Sequence, residues 1–473
     1  MKLTRRNFIR TASTTAALAC APCMAWPADS KGAASLFIGS FAQQMDGFGF
    51  SEAFHQARRL QNLPTEKRAA ILDLLFSPVG GMGFSILRNS IGNTDGTPQA
   101  DQGDTVSIEP AQGVWNWTGD EDQIWLMNEA KKRGCSRFIS CAWSAPAWMK
   151  TNKSTIGNGG VRPDMYQAFA DYLATYVEEY KKRYNLDIYG ISPANEPDYT
   201  PTIKYASSRW TGEQLTRFLR ENLIPTFAKK SLSCEIMLDD HANWHDDFIN
   251  VVLADPVCAK ALHIVCAHAY AATSSPFMPL GDRTGTFNTA LKAGKRIWQT
   301  EVSAGDKNLT SMDDGIYWAS VLHAHVNWNS VSAWLYWWGT DAQGPKPTRG
   351  SLLLIDPTTG AYQLSKRLFT IGQYSRFVRP GARRINATEN PIGNVRFDAF
   401  LDPSGKKLIC VAINDDNKPQ EFPIQFGSFP ATTCIPVRTS VTESHQKLPA
   451  LKPANGQVVV QTPAESVTTF IIG

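Results

Sequence analysis

Two glutamates in this 473-residue chain each follow directly on a short apolar stretch. Residues 192–197 read SPANEP and contain Glu196, whereas residues 296–301 read RIWQTE and end on Glu301. An acidic side chain directly after a buried strand loses hydration, so one isolated example is best explained as a helix cap or a surface ion pair. Two carboxylates at the ends of non-adjacent strands that face one pocket indicate chemistry instead.

The chemistry that needs such a pair is cleavage of a glycosidic bond. One carboxylic acid protonates the leaving oxygen while the other carboxylate attacks the anomeric carbon, and in retaining enzymes the two carboxyl groups lie about 5–5.5 Å apart. We therefore predict a retaining glycoside hydrolase with Glu196 as general acid/base and Glu301 as nucleophile.

Four further side chains are placed to support this pair. Asn195 precedes the acid and is expected to donate to a sugar 2-hydroxyl, a contact that strengthens in the transition state. Arg88, at the end of another predicted strand, is expected to hold Glu301 ionised, and the hydroxyl of Tyr270 is expected to orient it. A lone histidine such as His268 is more often packed than catalytic, so we predict that it contacts substrate at most.

The middle of the chain alternates short apolar runs with longer amphipathic ones, a pattern that predicts βα units. Catalytic groups of a barrel belong at the carboxyl-terminal ends of its strands, where both glutamates fall. No Gly-rich phosphate loop follows the first run, so the pattern favours an α/β fold of the (β/α)8 TIM-barrel type over a doubly wound sheet. The predicted strands are 46–50, 84–88, 137–142, 188–193, 234–238, 263–268, 296–301 and 331–337.

Three helix starts can be predicted between these strands. Thr65 and Asp164 are each expected to be the N-cap of a helix with apolar positions spaced by three and four. Thr211 with Gln214 three residues later has the capping-box pattern.

Beyond about residue 373 the helical patterns give way to short strands separated by Gly, Pro and Asn turns, which indicates a smaller antiparallel β side domain. The strand-like stretch 34–42 is expected to pair with it, so that both chain ends build this domain. The predicted organisation is a signal at 1–28, an N-terminal strand region at 29–45, the catalytic barrel at 46–372 and the β side domain at 373–473. The predicted strands of the side domain are 394–400, 407–413, 420–425, 457–461 and 467–472.

The N-terminus has the form of a twin-arginine export signal. Arg5 and Arg6 precede a weakly apolar, uncharged run with small residues near its end. We predict export through the twin-arginine pathway to the periplasm or the medium. Lipid attachment at Cys20 is the alternative, which the poor match of the preceding Leu18-Ala19 to such a site disfavours.

The balance of charges excludes some classes of partner. The full chain has a formal net charge of +4, and residues 1–28 contain four basic residues and no acidic one, which leaves a mature chain of zero net charge. No basic run remains to bind nucleic acid, and no apolar stretch reaches the roughly 18 residues expected of a membrane span. We expect a monomer that binds a polysaccharide or oligosaccharide.

Cysteine usage argues against a metal site. Of the nine cysteines, Cys20 and Cys23 lie in the signal, and the rest form no CxxC pair and have no histidine at ligand spacing. We therefore predict no metal. Export permits disulfides, and Cys410 with Cys434 is the expected pair.

Together with the two glutamates, three longer stretches resemble glycoside hydrolase family 30. They are GFGFSEAF at 47–54, WSAPAWMKTN at 143–152 and YSRFVRPG at 374–381. The resemblance covers the chain from about residue 40 to its end, and it implies a β side domain formed from both termini. It also implies a retaining double displacement without a metal or organic cofactor. By resemblance, the sugar at the cleavage site would be surrounded by Trp143, Asn195, Tyr270 and Trp337.

Substrates within this family include xylan, β-1,6-glucan, β-1,6-galactan and glucosylceramide. The stretches 51–54 and 72–77 look most like the branch of endo-xylanases, so we predict an endo-β-1,4-xylanase that acts on plant polysaccharide. The alternatives are an exo-β-glucosidase or glucosylceramidase, an endo-β-1,6-glucanase or galactanase, and, outside the enzymes, a carbohydrate-binding barrel without catalysis. Some members of the xylanase branch recognise a glucuronic acid branch through an arginine just after the first stretch. Here the corresponding positions hold His55 and Gln56.

Overall fold

The computed structural model of the protein describes residues 32–97, 99, 105–199, 204–242, 244, 247–270, 287–304, 308–343 and 350–473. The predicted export signal at 1–28 lies outside the described residues. Within these ranges, every helix is too short or too polar to span a lipid bilayer.

The strands are β1 Ala34–Gln44, β2 Gly47–Ser51, β3 Ile86–Ser90, β4 Arg137–Cys141, β5 Ile188–Ser192, β6 Glu235–His241, β7 Ile264–His268, β8 Arg296–Glu301, β9 Val331–Ala342, β10 Ser351–Ile355, β11 Tyr362–Leu364, β12 Arg383–Ala387, β13 Val395–Leu401, β14 Leu408–Asn414, β15 Gln420–Gln425, β16 Cys434–Thr439, β17 Gln446–Lys447, β18 Gln457–Thr462 and β19 Ser466–Ile472. The helices are α1 Ala57–Gln61, α2 Thr65–Phe76, α3 Glu121–Lys132, α4 Tyr166–Tyr184, α5 Gly212–Phe218, α6 Ile224–Lys229, α7 Asp247–Leu253, α8 Pro256–Ala261, α9 Asn288–Lys292, α10 Met312–Trp328 and α11 Lys366–Ser375. Short 3-10 turns lie at Ala147–Met149 and Pro163–Met165, and a π-helical turn at Leu219–Leu223 joins α5 to α6.

Strands β2 to β9 form a closed parallel barrel. Each strand pairs with the next along the chain, and β9 closes the ring on β2. The predicted (β/α)8 fold is confirmed, and each of its eight predicted strands is present, although β9 continues past its predicted end at 337 to Ala342. Strands β10 and β11 extend the same sheet beyond β9.

The barrel interior is filled by side chains rather than open. Successive residues of a strand point to opposite faces, so alternate positions line the interior while their neighbours pack against the outer helices. A tight inner cluster results, made of Ile86, Ile139, Met237, Ile264, Cys266, Trp298, Ala333 and Leu335. This packing fixes the strand ends on which the side chains of the site stand.

The side domain is a nine-stranded sheet made of β1 together with β12 to β19. Strand β1 lies inside it, antiparallel to β12 and parallel to β15. The prediction that 34–42 joins the C-terminal strands is therefore confirmed, as are the five strands predicted beyond residue 373. Strands β12, β16 and β17 were not predicted: β12 begins on Arg383-Arg384, β16 contains Pro436, and β17 is two residues long.

Two of the three predicted helix starts are wrong in detail. Thr65 is the first residue of α2 rather than its cap, because Pro64 stands at the cap position. Asp164 lies within the 3-10 turn that precedes α4 and pairs with Arg162, whose Nε is 3.2 Å from its Oδ1. The capping box is confirmed, with Thr211 Oγ1 accepting from the backbone of Gln214 at 3.2 Å.

The predicted disulfide between Cys410 and Cys434 is wrong, since both are free buried thiols. Cys410 pairs with Phe470 and Cys434 with Ile472, so β14 and β16 lie on opposite sides of β19. Strands separated by a third strand are roughly 9–10 Å apart. A disulfide requires Cα atoms within about 7 Å, so this topology excludes it.

A buried charge network joins the barrel to the side domain. His323 of α10 lies with its Nδ1 2.9 Å from Oδ2 of Asp398 in β13, and both side chains are fully buried. Tyr374 donates to the same oxygen at 2.5 Å, and Asn327 donates to Oδ1. Although burial opposes the charge, Asp398 and Glu389 raise the pKa of His323 to about 9, so the contact is an ion pair at neutral pH.

We predict that the stability contributed by this ion pair is lost at alkaline pH. Because the folded-state pKa of His323 lies above the ordinary value of 6.5, the contribution is present in full below pH 6.5 and is lost as the pH rises through about 9. The Tm difference between the wild type and His323→Gln should therefore be largest near pH ~6 and shrink by pH ~9.5. Calorimetric unfolding scans across this range measure it.

His325, on the same helix, supplies the matched control. It is buried, its Nδ1 accepts from Trp334 Nε1 at 2.9 Å, and burial lowers its pKa to about 3. The imidazole is thus neutral in the folded protein over the whole range, and above about pH 7 it is neutral in the unfolded chain as well, so the Tm difference for His325→Gln should stay constant from about pH 7 to about pH 9.5, where that for His323→Gln shrinks. An equally flat difference for His323→Gln would contradict the ion pair.

Candidate active site

The predicted site residues meet at one end of the barrel. Six of the eight lie at or just beyond the carboxyl-terminal end of their strand, where barrel geometry gathers the strand ends around a common axis, whereas Arg88 lies within β3 and Trp337 within the long β9. The structure brings together all eight of them, from β3, β4, β5, β7, β8 and β9: Arg88, Trp143, Asn195, Glu196, His268, Tyr270, Glu301 and Trp337.

The two glutamates face each other across this end of the barrel. One carboxylate oxygen of Glu196 and one of Glu301 lie no more than 4.8 Å apart. That separation leaves room for a sugar carbon between them but not for an additional attacking water, which is the spacing of a retaining pair. The Glu196 side chain is 12% exposed and the Glu301 side chain 7%, so Glu196 is the more open to an arriving leaving group.

Glu196 is held in an unusual backbone conformation. Its φ of 47° lies in the left-handed region, which is costly for a residue with a side chain. Its N–H donates to the carbonyl of Asp240 at 2.8 Å, and its own carbonyl accepts from the N–H of Tyr199 at 3.0 Å. Strain of this kind persists only where the surroundings enforce it, and it clusters at functional sites.

Both oxygens of Glu301 have donors. Arg88 Nη1 donates to Oε2 at 2.5 Å, and the hydroxyl of Tyr270 donates to Oε1 at 3.1 Å. The second guanidinium nitrogen of Arg88 donates to Asn195 Oδ1 at 2.8 Å. Burial raises the pKa of Glu301, and the positive charges of His268 and Arg88 oppose that rise.

Asp240 completes the charged centre and was missed from the sequence. It lies in a bulge near the end of β6, its Oδ2 is 3.4 Å from Arg88 Nη2, and its Oδ1 accepts from the hydroxyl of Thr300. Burial favours the neutral acid, but Arg88 and His268 outweigh it and hold the pKa of Asp240 well below its usual range. The acidic pair Asp239-Asp240 directly after the predicted strand 234–238 was the available signal.

His268 lies between the carboxylates, fully buried. Its Nδ1 is 3.1 Å from Glu196 Oε1, and its Nε2 is 3.7 Å from both Asp240 Oδ1 and Glu301 Oε2. Although burial opposes the charge, these carboxylates raise the pKa of His268 to about 10. The imidazolium therefore donates to Glu196 Oε1.

Tyr205 is the second residue that sequence reasoning missed. Its hydroxyl donates to Glu196 Oε2 at 2.6 Å. Burial and the charge of Glu196 raise the pKa of Tyr205, so it remains a donor across the working range of pH. It stands in the connection after β5, where no periodic pattern indicates its position.

Aromatic rings form the wall beside the charged centre. The guanidinium of Arg88 lies 4.3 Å from the ring centroid of Trp143, and the Trp143 and Trp337 rings are 5.7 Å apart. Phe54 packs edge-on against both, at 5.1 and 6.0 Å. Its φ of 59° lies in the left-handed region, as does that of Glu196.

Glu196, His268 and Glu301 each offer one atom within 4.8 Å of the others, the grouping that a metal ion would need. Two features disfavour a cation. Arg88 already donates to Glu301, and an imidazolium has no lone pair to give. The centre contains two cations, Arg88 and His268, and three carboxyl groups, those of Glu196, Asp240 and Glu301. It is neutral when one of the three carboxyl groups is protonated.

Comparison with known proteins matches both parts of this chain. Residues 45–376 match the model of glycosyl hydrolase family 59, and residues 381–470 match that of the glycosyl hydrolase family 30 beta sandwich domain. Glucuronoxylanase XynC of Bacillus subtilis is 28% identical over 362 residues, which cover 74% of this chain and 77% of that protein. Lysosomal acid glucosylceramidase of Mus musculus is 25% identical over 403 residues, covering 78% and 75%. The solved catalytic domain of GH30 xylanase C from Talaromyces cellulolyticus is 27% identical, with a TM-score of 0.78 over 93% of this chain and 100% of that one.

Proposed function

We propose, on the premise that this chain belongs to the glycosyl hydrolases with a barrel of family 59 and a β-sandwich domain of family 30, that it cleaves β-linked plant polysaccharide. The resemblance to family 30 predicted from the sequence is confirmed, and with it the class of enzyme, a retaining hydrolase of O-glycosyl bonds. The observation that carries the proposed mechanism is the pair of glutamate oxygens within 4.8 Å of each other, each held by a different set of partners.

In the first step Glu301 attacks the anomeric carbon and the glycosidic C–O bond breaks. Arg88 and Tyr270 hold the two oxygens of Glu301, so the attacking lone pair is fixed before substrate arrives. Glu196 gives its proton to the leaving oxygen. As Glu196 becomes a carboxylate, it gains negative charge where His268 and Tyr205 already donate hydrogen bonds.

In the second step Glu196 accepts a proton from water, and the water oxygen attacks the anomeric carbon of the glycosyl-enzyme. Glu301 leaves, and two inversions give net retention. Asn195 is oriented for substrate throughout, because its Oδ1 accepts from Arg88 at 2.8 Å. This leaves its amide N–H groups to donate to the sugar 2-hydroxyl, while Trp143 and Trp337 flank the ring.

We propose endo-β-1,4-xylanase as the specific activity. It is supported by the name of the Bacillus relative, by that of the Talaromyces structure, and by the likeness of residues 51–54 and 72–77 to the xylanase branch. We further propose that the chain is exported by its twin-arginine signal, since a polysaccharide of plant cell walls must be cleaved outside the cytoplasm.

The runner-up is an exo-acting β-glucosidase or glucosylceramidase, which the lysosomal relative favours. An endo-β-1,6-glucanase or galactanase shares the same catalytic pair. A binding protein without catalysis has no need for two glutamates, each with its own donors, and is disfavoured for that reason.

Glu301→Gln should abolish turnover of natural substrate, because no carboxylate remains to form the glycosyl-enzyme. Losses of several orders of magnitude follow removal of one member of such a unit. A 2-fluoro glycoside inactivator applied to the wild type should label Glu301, as peptide mass spectrometry of the digest would show. Asp240 is the matched control, a buried carboxylate of the same centre that should carry no label. Labelling of Asp240 or Glu196 would overturn the assignment.

Glu196→Ala should remain able to form the covalent intermediate from nitrophenyl glycosides, since an acidic leaving group needs no proton. Azide should then accelerate release and give a β-glycosyl azide, identified by its NMR coupling constants. An α-glycosyl azide would show inversion, and failure of azide to accelerate release would remove Glu196 as acid/base.

By resemblance to the xylanase branch, recognition of a glucuronate branch would need a cation near His55 and Gln56. Arg59 is committed to other groups, with Nε donating to Gln56 Oε1 at 2.7 Å and Nη2 lying 3.6 Å from Asp341. Arg58 has Nε 3.6 Å from Asp122, although half of its side chain is exposed. A branch carboxylate would have to displace one of these partners, so we propose that a glucuronate branch is not required.

Product analysis on xylan, glucuronoxylan, pustulan and arabinogalactan tests the substrate, and xylo-oligosaccharides from the first two are expected. A charge-assisted pair with the branch carboxylate would be worth about 1.5–3 kcal/mol, which is roughly tenfold or more in kcat/KM. Because we propose that no such pair forms, chemical reduction of the carboxyl groups of glucuronoxylan should change kcat/KM by less than about tenfold. A larger fall would show that a cation recognises the branch. Arg58→Ala, compared with Arg59→Ala, would then identify which one.

A further inference from the structure

Lys150 is a buried lysine with no carboxylate partner among the described residues. It follows the 3-10 turn at Ala147–Met149, in the connection after β4 on the catalytic face, and its side chain is fully buried. Burial lowers its pKa to about 7, and no acidic group offsets this effect. An ammonium group in such surroundings is costly, and a methionine would fill the same space without the cost.

The hydrogen bonds of Lys150 indicate what it does. Its Nζ donates to Ser144 Oγ at 2.9 Å, to the carbonyl of Thr155 at 3.3 Å and to the carbonyl of Ser207 at 2.5 Å. The first two acceptors belong to the connection after β4, and the third belongs to the connection after β5. Lys150 therefore joins two separate connections at the rim of the site.

Both connections carry groups of the catalytic centre. Ser144 follows Trp143, on whose ring Arg88 stacks. Ser207 is two residues beyond Tyr205, whose hydroxyl donates to Glu196 at 2.6 Å.

Other hydrogen bonds tie the same junction. The N–H of Ser207 donates to the carbonyl of Thr155 at 2.9 Å, the N–H of Ala145 to Ser208 Oγ at 3.2 Å, and the N–H of Asn158 to Ser207 Oγ at 3.2 Å. Apart from the half-buried Asn158, all of the residues named here are buried, and Lys150 is the one side chain among them whose donor atom makes three hydrogen bonds at the junction.

We propose that Lys150 is a positioning residue for the general acid: it anchors the segment 205–208 so that Tyr205 donates to Glu196. This proposal rests on the assignment of Glu196 as acid/base. Without the anchor, the Tyr205 hydroxyl is free to leave Glu196 Oε2. The carboxylate formed on proton transfer would then be less stabilised, and Glu196 would become a weaker acid.

The experiment compares Lys150→Met, Tyr205→Phe and the double variant on aryl β-xylobiosides. On phenyl xylobioside, whose leaving group needs a proton, kcat/KM of Lys150→Met should fall about tenfold, the worth of one hydrogen bond to a charged group. On 2,4-dinitrophenyl xylobioside, which needs no proton, it should change by less than about twofold. The basic limb of the pH profile on the phenyl substrate should move to higher pH in both single variants.

The double variant tests whether the two residues act through one another. If Lys150 acts through Tyr205, the double variant should be no slower than Tyr205→Phe alone. Additive losses, or equal losses on both leaving groups, would show that Lys150 has only a structural role and would overturn the proposal. If Lys150→Met fails to fold, Lys150→Gln, which keeps a donor of shorter reach, is measured in the same way.

Lys366 is the matched control. It too is a lysine that donates to carbonyl groups, of Ser440 at 2.7 Å and Glu443 at 3.0 Å, but it joins α11 to the side domain. Lys366→Met should lower Tm and leave both the leaving-group dependence and the pH profile unchanged. Azide rescue of Glu196→Ala tests the acid/base assignment separately from the positioning role. If azide rescues Glu196→Ala but Lys150→Met has no effect, only the positioning role is refuted. If azide does not rescue Glu196→Ala, the acid/base assignment is refuted.

Discussion

The guanidinium of Arg88 is the interaction on which the catalytic end of the barrel depends. It is fully buried and contacts Glu301, Asp240 and Asn195 at once, while its plane lies on Trp143. Three acceptors from three different strands thus meet on one rigid, planar cation. Removing one partner of a buried ion pair typically costs about 3–5 kcal/mol, because the other charge is left without compensation. The site is therefore built as a charge-balanced unit in which each group requires the others.

Small departures from regular strand geometry orient the side chains of this charged centre. A bulge in β6 inserts an extra residue before His241, and another in β8 sets His268 opposite Glu301 rather than Thr300. Bulges turn side chains that regular pleating would direct elsewhere. The left-handed backbone at Glu196 has the same effect after β5. The barrel supplies rigid strand ends, and these irregularities direct the carboxyl groups there toward a common centre.

The sequence was sufficient for the barrel and for much of the site because both leave periodic or chemical signals. Apolar runs bounded by turns located the strands, and carboxylates directly after such runs identified Glu196 and Glu301. Asp240 was missed because β6 was predicted to end at 238, and a bulge has no signature in hydrophobic periodicity. Tyr205 was missed because a long connection follows no repeat. The disulfide was wrong for a similar reason, since strand order across β19 depends on pairing between distant segments.

The position of β1 inside the side domain has a consequence for the order in which the chain can fold during synthesis. Leu36 pairs with Ala387, so the first strand leaves the ribosome long before its neighbour exists. At ~5–20 residues per second, the interval is roughly 20–70 s. Throughout that time the amide and carbonyl groups of β1 have no sheet to join, and the nascent barrel must mature beside an unpaired strand. The sheet around β1 therefore cannot form until β12 and β15 have been synthesised, and a chaperone that shields this extended segment would serve the protein for most of that interval.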